Sequence, residues 1–315
     1  MSKIIRGKET LTSKERIQRT FAFEPVDRVA MGYDTNPIAH ENLCKVLNMD
    51  PKEKFAFLRY IGVDHAGAWF KYIGEKIYPD IPDRNRSSEH GAVMKYVKNQ
   101  YGGYWDYCDF PLLDVDDEVI YNYPFPNPDD FDYEFYKQRV DYLCDMGFAI
   151  SAGNAGVGDI MNTTGMLMGV EQALINICID HEATLHMIDK RLNMQLKRLE
   201  RVLELCKGKH DFMWLGEDLG SQHAPLISMD LYRRVLKPRH QKFIDLAKAY
   251  DLPVIIHTCG SSSWVYEEFI EMGMNGVDTL QPEAANMSPQ YLADHFGGRL
   301  VFRGCISTAG PLAYG

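Results

Sequence analysis

Residues 253–260 of the chain read Pro253-Val254-Ile255-Ile256-His257-Thr258-Cys259-Gly260. Its opening residues are apolar and enriched in β-branched side chains, which favours a short buried strand. The polar, glycine-rich residues that follow end this strand. Residues i and i+2 of a strand face the same side of a sheet, so His257 and Cys259 should project together. An imidazole and a thiolate that converge at a strand end predict a zinc site.

The chain around this stretch alternates strand and helix patterns. From residue 148 onward we predict strands at 148–152, 212–216, 254–257, 277–280 and 300–302, and helices at 170–178, 183–206, 228–250, 266–272 and 289–296. Such alternation with short loops indicates a parallel sheet, open or closed. No Gly-x-Gly-x-x-Gly follows a strand, which argues against a dinucleotide-binding sheet.

The amino-terminal half has a different texture. Residues 12–15 form a capping pattern before an amphipathic segment, and residues 28–33 read as a short strand that ends at Asp34. The segment from about 76 to 147 is rich in Tyr, Asp and Pro, and we interpret it as an excursion with short strands and an acidic surface. Its proline-rich run, 124–130, predicts a loop. We expect residues 1–315 to form one barrel domain that includes this excursion.

Polar side chains collect where the predicted strands end. They are Asp34, Asn154, Glu217, Asp218, His257, Cys259, Gln281 and Cys305. In a (β/α)₈ (TIM) barrel, all of them would lie on the rim that carries the active site. This coincidence favours the barrel over an open sheet.

Composition sets the class of protein. The chain has 315 residues, of which 45% are hydrophobic and 25% charged, with a net charge of −10. The negative charge argues against nucleic acid or an anionic membrane as the main partner, although a local cleft could still bind an acidic substrate. Its 7 cysteines are scattered and form no disulfide framework. With neither a signal peptide nor a long apolar run in the sequence, we expect a cytoplasmic protein.

Several motifs together resemble a known family. They are residues 14–16 through 25–29, 216–222, 225–228, 236–239, 257–260 and 297–304. On these segments the chain resembles the uroporphyrinogen decarboxylase superfamily, and within it the zinc-dependent methyltransferases that work with corrinoid (cobalamin) proteins. The likeness covers nearly the whole chain, and the His-x-Cys-Gly piece at 257–260 is its most specific part. The resemblance implies a barrel, a zinc ion, a small methylated or thiol substrate and a corrinoid protein as partner.

Two departures from the family pattern affect these expectations. The decarboxylases carry arginines after the first strand to grip porphyrin carboxylates, whereas residues 33–40 here contain none, although Asp34 could serve as their pyrrole-binding aspartate. The chain also stops at Gly315, before an eighth strand and helix. Either Cys305 supplies the third zinc ligand or the site is incomplete. A barrel open on one side would predict a homodimer or reduced stability.

The candidate site residues each have a structural alternative. His257, Cys259 and Cys305 are the predicted metal ligands, but all three could be buried strand-end residues. Glu217 and Asp218 are predicted catalytic residues, and one of them, preferably Glu217, would be a fourth zinc ligand or would contact a ligand. Acids at this position can also cap helices. Substrate contacts are predicted for Asp34, Asn154, Gln222 and His223, which could equally be turn or solvated loop residues.

The predicted function is methyl transfer between a small substrate and a corrinoid protein. Zinc would activate a thiol acceptor, or polarise a methylated donor such as an aromatic methyl ether in O-demethylation; the direction stays open. Two alternatives remain. One is a metal-free carboxy-lyase with Asp34 in a basic cleft, and the other is a shortened, non-catalytic barrel that binds a ligand.

Overall fold

A computed structural model of the chain describes residues 7–100, 102–307 and residue 310. The protein is an α/β protein with two sheets. The strands of the described part are β1 (His65–Gly67), β2 (Asn85–Arg86), β3 (Val93–Asn99), β4 (Gly102–Cys108), β5 (Ala149–Gly153), β6 (Phe212–Gly216), β7 (Val254–His257), β8 (Gly276–Leu280) and β9 (Val301–Gly304). Strands β2–β4 form an antiparallel sheet, and the other six form a parallel sheet.

Helices connect the parallel strands. They are α1 (Ser13–Phe21), α2 (Pro37–Leu47), α3 (Lys54–Ile61), α4 (Asp117–Tyr121), α5 (Tyr133–Asp145), α6 (Met161–Met168), α7 (Val170–Cys178), α8 (Glu182–Leu205), α9 (Met229–Leu231), α10 (Lys237–Ala249), α11 (Tyr266–Met272) and α12 (Pro289–Phe296). Short 3₁₀ turns lie at Pro128–Asp130 and Ser263–Val265. Within the described part of the chain, no helix has the length and apolar composition needed to cross a bilayer.

The parallel sheet is curled. Its strands follow chain order, β1-β5-β6-β7-β8-β9. In a flat sheet the two edge strands would stand about 24 Å apart, at five spacings of about 4.8 Å. Here a methyl group on Gly32 would lie 3.0 Å from His65 Nε2 on β1 and 2.8 Å from Arg303 Nη2 on β9. The guanidinium of Arg303 also lies 4.5 Å from the ring centre of Trp214 on β6. Both edges therefore approach the same segment, and the sheet bends towards a barrel.

Both faces of this sheet are buried, which explains its continuous apolar runs. One face packs against the helices through side chains such as Ile150, Leu215 and Ile256. The other face holds a smaller cluster around Ala149, Phe212 and Ile255, covered by Ile17 and Phe21 of α1. Helix α1 thus closes the amino-terminal end of the curled sheet, and the carboxyl ends of the strands are left for a site.

The predicted strands from residue 148 onward are confirmed as β5–β9, within a residue or two. The antiparallel sheet and the loop at 124–130 also agree with the predicted excursion. Helix 228–250 is present but contains a π-helical turn at Tyr232–Leu236. Pro238 follows this turn; it cannot donate to the helical ladder, and a π turn is one way to accommodate it.

The predicted strand at 28–33 is wrong, because the segment is irregular and β1 lies at His65–Gly67 instead. Its backbone does approach β1: the Asp64 N–H donates to the Met31 carbonyl oxygen at 2.9 Å. The return bond goes from the Met31 N–H to the Asp64 carboxylate at 2.7 Å. A side chain thus replaces a carbonyl in what would have been the first ladder. Of the eight strands expected for a complete barrel, the described residues form six in the parallel sheet.

A buried ion network joins α1, the 28–34 segment and β1. The fully buried Asp64 carboxylate accepts from Arg16 at 2.6 Å and from Arg28 at 2.6 Å. Arg16, itself fully buried, also pairs with Asp27 at 2.7 Å. Burial alone raises the pKa of Asp64, but the hydrogen bond and charge of Arg28, with the Met31 amide and Arg16, outweigh it and hold this pKa below its ordinary value.

We predict that Asp64→Asn lowers the free energy of unfolding by about 3–5 kcal/mol at neutral pH, because it removes the buried carboxylate that Arg16 and Arg28 share. Urea denaturation would measure the change. The control is Glu267→Gln, which removes an exposed partner of Arg299 and should cost less than about 1 kcal/mol. Equal losses in both variants would contradict this role of Asp64.

The same network predicts a dependence on pH. Because the folded pKa of Asp64 is depressed, its stabilisation is present above the unfolded pKa of about 3.9 and is lost as the pH falls through the folded value. The stability difference between wild type and Asp64→Asn should therefore shrink below about pH 4. Denaturation curves taken at intervals between neutral and acidic pH test this, and a difference that stays constant would exclude the linkage.

Candidate metal centre

The site lies at the carboxyl ends of three neighbouring strands. In the register of the sheet, Gly216 of β6 pairs with His257 of β7, and His257 pairs with Asp278 of β8. The polar loops that follow β6 and β7 touch through their backbones. A side chain on Gly220 would strike the Ser261 backbone, and Gly260 has a φ of 70° that disfavours other residues. The close approach of these loops brings the residues after Gly216 and His257 together.

Three donor atoms converge there. The atoms offered by Asp218, His257 and Cys259 all lie within 4.8 Å of one another. His257 Nε2 is 3.4 Å from Cys259 Sγ and 3.5 Å from Asp218 Oδ1. The side chains of His257 and Asp218 keep 19% and 30% of their surface exposed. The cluster is thus open on one side.

The donor set fits zinc. Zinc takes nitrogen, sulfur and carboxylate oxygen ligands, and bonds of about 2.0–2.3 Å at tetrahedral angles place donor atoms roughly 3.3–3.8 Å apart. The two distances from His257 Nε2 fall within that range. Three protein ligands with an exposed side are typical of a catalytic site, whereas structural sites have four.

The far side of the His257 ring faces a carboxylate. Its Nδ1 lies 3.5 Å from Asp278 Oδ2, and Asp278 is only 2% exposed. The Arg303 guanidinium is 3.0 Å from the same oxygen. A carboxylate behind a histidine fixes the ring and the tautomer that leaves the other nitrogen free for a metal. This geometry matches a metal-binding histidine.

The charges around His257 shift its titration. Burial opposes the charged ring, but Asp278, Cys259 and Asp218 outweigh it and raise the pKa of His257 to about 10. The metal-free site therefore holds a protonated imidazole between carboxylates at neutral pH. A metal ion would replace that proton as the positive charge in the cluster.

Asp218 is held in place from two directions. Its Oδ1 accepts the Cys259 N–H at 2.8 Å, and its Oδ2 accepts the Asn162 side-chain amide at 3.0 Å. The first bond ties the loop after β6 to the loop after β7. The second joins the cluster to α6. Asp218 is thereby oriented towards His257 before any ligand arrives.

Glu217, placed ahead of Asp218 as a possible ligand, points away from the cluster. It is fully buried, and its carboxyl oxygens accept the N–H groups of Ile160 and Met161 at 2.7 and 3.1 Å. His240 Nε2 lies 3.7 Å from it. Burial, followed by the charge of Asp159, raises the pKa of Glu217 well above its ordinary value. The acid that the structure brings to the cluster is Asp218.

Cys305 lies outside the cluster. It follows β9 with a φ of 64°, and its N–H donates to the Leu280 carbonyl oxygen at 3.0 Å. The side chain is partly buried against the main core, and burial raises the pKa of its thiol. The described conformation thus leaves this predicted ligand apart from His257 and Cys259, and its ligation stays a prediction.

The predicted substrate residues are dispersed. Asp34 is exposed and pairs with Arg303 at 3.0 Å, while the Asn154 side chain accepts the Gly156 N–H at 2.8 Å. Gln222 and His223 are exposed in the loop after β6. Asp34 is thus linked to the cluster through Arg303 and Asp278. Among the described residues, Arg303 is the cation that pairs with Asp34, whereas a cleft for a polyanion would require several.

Three residues of the site were missed in the sequence: Asp278, Arg303 and Asn162. Asp278 could have been predicted, because an acid within the apolar strand 277–280 requires a buried partner. Arg303 stood in a family motif without an assigned role. Asn162 was placed in a polar, glycine-rich loop, where such residues are common.

No protein-family model matches the chain, and a search among curated proteins finds no relative. The functional argument therefore rests on the motifs of the sequence and on the geometry of this site.

We predict that Asp278→Asn lowers zinc affinity by about 10–100-fold, because His257 loses the carboxylate that fixes its ring. Competition with a chromogenic chelator would measure the affinity. Asp180→Asn is a matched control, since Asp180 pairs with Arg234 at 2.7 Å on the exposed surface. An unchanged affinity in Asp278→Asn would show that the carboxylate does not support the metal.

Proposed function

We propose that the protein is a zinc-dependent methyltransferase that moves a methyl group between a small substrate and a corrinoid protein. The observation that carries the metal part is the convergence of Asp218, His257 and Cys259 within 4.8 Å. The methyl-transfer part rests on the resemblance of the sequence motifs to corrinoid-dependent methyltransferases. The curled sheet supports the finer proposal of a (β/α)₈ barrel of the uroporphyrinogen decarboxylase type.

His257 Nε2, Cys259 Sγ and an Asp218 oxygen would hold the zinc ion. Bound there, zinc would supply Lewis acidity to a thiol or to the heteroatom that carries the methyl group. The residues around it have distinct tasks. The Asp278 carboxylate, 3.5 Å from His257 Nδ1, would hold the orientation of the ring, and the Asn162 side-chain amide donates to the second Asp218 oxygen.

The exposed side of the cluster is where substrate and partner would meet. The side chains of His257 and Asp218 keep 19% and 30% of their surface accessible, and residues 221–226 of the loop after β6 are exposed. A small thiol or methylated substrate would enter here, and the corrinoid protein would present its cofactor from outside.

A carboxy-lyase is the second candidate, and one contact favours it. Asp34 lies beside Arg303, so an acid and a guanidinium group are adjacent near the candidate site. That arginine is already engaged by Asp278 at 3.0 Å and by the Trp214 ring. The metal donor set has no role in this alternative, so we place it second.

The test of the methyltransferase proposal compares Cys259→Ala with Cys178→Ala, an exposed cysteine in α7. Wild type and Cys178→Ala should each bind about one zinc ion per chain and demethylate methylcobalamin in the presence of 2-mercaptoethanol. Cys259→Ala should lose the zinc and at least about a thousandfold of the rate, because the metal ligand is removed. Elemental analysis and the cobalamin spectrum give the two readouts.

Two results would overturn the proposal. Methyl transfer that persists in Cys259→Ala would show that the cluster is not the reacting site. Release of carbon dioxide from an acid by metal-free protein, abolished in Asp34→Asn, would favour the carboxy-lyase. Adding Cys305→Ala to the series decides whether that thiol supplies a further ligand.

A further inference from the structure

A polar cavity lies next to the candidate metal centre. It has a volume of about 260 Å³ and lies between the antiparallel sheet, the loop after β5 and helix α8. Asn162 lines it and also donates to Asp218 Oδ2 at 3.0 Å. The cavity is therefore one side chain away from the donor cluster. This volume is slightly below the roughly 300–1,000 Å³ of pockets for drug-sized ligands, which suits a smaller molecule.

The cavity contains a buried guanidinium group without a counter-ion. Arg191 of α8 lines it and is only 2% exposed. Its Nη2 donates to the carbonyl oxygen of Asp159, and among the described residues it forms no ion pair with a carboxylate. Burial lowers the pKa of Arg191, with the more distant Asp159, Glu217 and Glu89 opposing. A buried charge is costly unless a partner neutralises it, and arginine remains charged in proteins.

The other charged groups of the cavity already have partners. Arg198, 4% exposed, pairs with Glu89 at 3.0 Å and lies over the rings of Phe70 and Phe131. The Asp159 carboxylate is turned to α6, where it accepts the N–H groups of Asn162 and Thr163 at 3.0 and 2.7 Å. Arg191 is thus the cation of the cavity lining that has no ion-pair partner among the described residues.

His90 adds no further positive charge. Burial, together with the charge of Arg191, lowers the pKa of His90 to about 4, so its ring is neutral at neutral pH. Because the Asp159 carboxylate also lines the cavity, a monoanion beside Arg191 is favoured over a dianion such as phosphate. The planar fork of a guanidinium fits the two oxygens of a carboxylate. Side chains of Tyr107, Val157 and Met166 offer apolar wall for the rest of the ligand.

We propose that this cavity binds the carboxylate of a small monocarboxylic acid through Arg191. That the acid is the methyl-bearing substrate of the neighbouring metal centre rests on the proposed function; binding itself does not. The carboxylate would lie against Arg191, and the body of the molecule would point past Asn162 towards Asp218 and its neighbours.

Calorimetric titration with three probes tests the binding: benzoate, its neutral counterpart benzamide, and inorganic phosphate. Wild type should bind benzoate at least tenfold more tightly than either other probe. Arg191→Met should weaken benzoate binding at least tenfold, and Arg191→Lys should weaken it less. The control Arg201→Gln removes an exposed arginine of the same helix, paired with Asp129, and should leave binding unchanged.

Several outcomes would overturn the inference. Wild type could fail to bind benzoate, bind benzamide as tightly as benzoate, or bind phosphate more tightly. Arg191→Met could also bind benzoate as tightly as wild type does. The probe comparison uses wild type alone, so it decides even if Arg191→Met fails to fold. Adding His257→Ala separates this inference from the metal proposal, because that variant should lose zinc and keep benzoate binding. Benzoate binding that vanishes with the zinc would assign the acid to the metal instead.

Discussion

The buried carboxylate of Asp64 is the contact on which the arrangement of the molecule depends. It joins Arg16 of α1, Arg28 and the Met31 amide to the start of β1, and all of these groups are wholly or partly buried. The network fixes the 28–34 segment in the gap between the two sheet edges. Gly32 then lies against His65 on one side and Arg303 on the other. A sheet with chain-order strands can thereby curl without a regular ladder at that gap.

The electrostatics of the metal centre follow from that closure. Arg303, held between Asp34, the Trp214 ring and Asp278, is the cation that stabilises a buried acid behind His257. That acid in turn orients the imidazole towards Asp218 and Cys259. The backbone of the 28–34 segment thus connects the amino-terminal network to Asp34, and ion contacts lead from Asp34 through Arg303 and Asp278 to His257.

In the two proposals, the candidate metal centre and the cavity would have separate tasks. The ends of β6 and β7 would supply the donors for a metal, and the guanidinium between α6 and α8 would bind a carboxylate. Asn162 belongs to both, since it lines the cavity and holds Asp218. An acid bound by Arg191 would reach the open side of the metal from a fixed direction, which is how an enzyme gains by positioning its substrate.

The alternating strands and helices after residue 148 could be predicted from local patterns, because buried parallel strands read as short apolar runs between amphipathic helices. The pairing of His257 with Cys259 could be predicted too, because the two-residue period of a strand is a local property. That Asp218 joins these two residues and Glu217 does not depends on the three-dimensional fold. The side chains of consecutive residues such as Glu217 and Asp218 point in different directions, and the register of β6 against β7 determines which of them faces His257. Contacts between residues distant in the sequence also determine the surroundings of Asp278, Arg303 and Arg191, the irregular 28–33 segment and the position of Cys305. Such contacts follow from how the sheet curls, which no local pattern encodes.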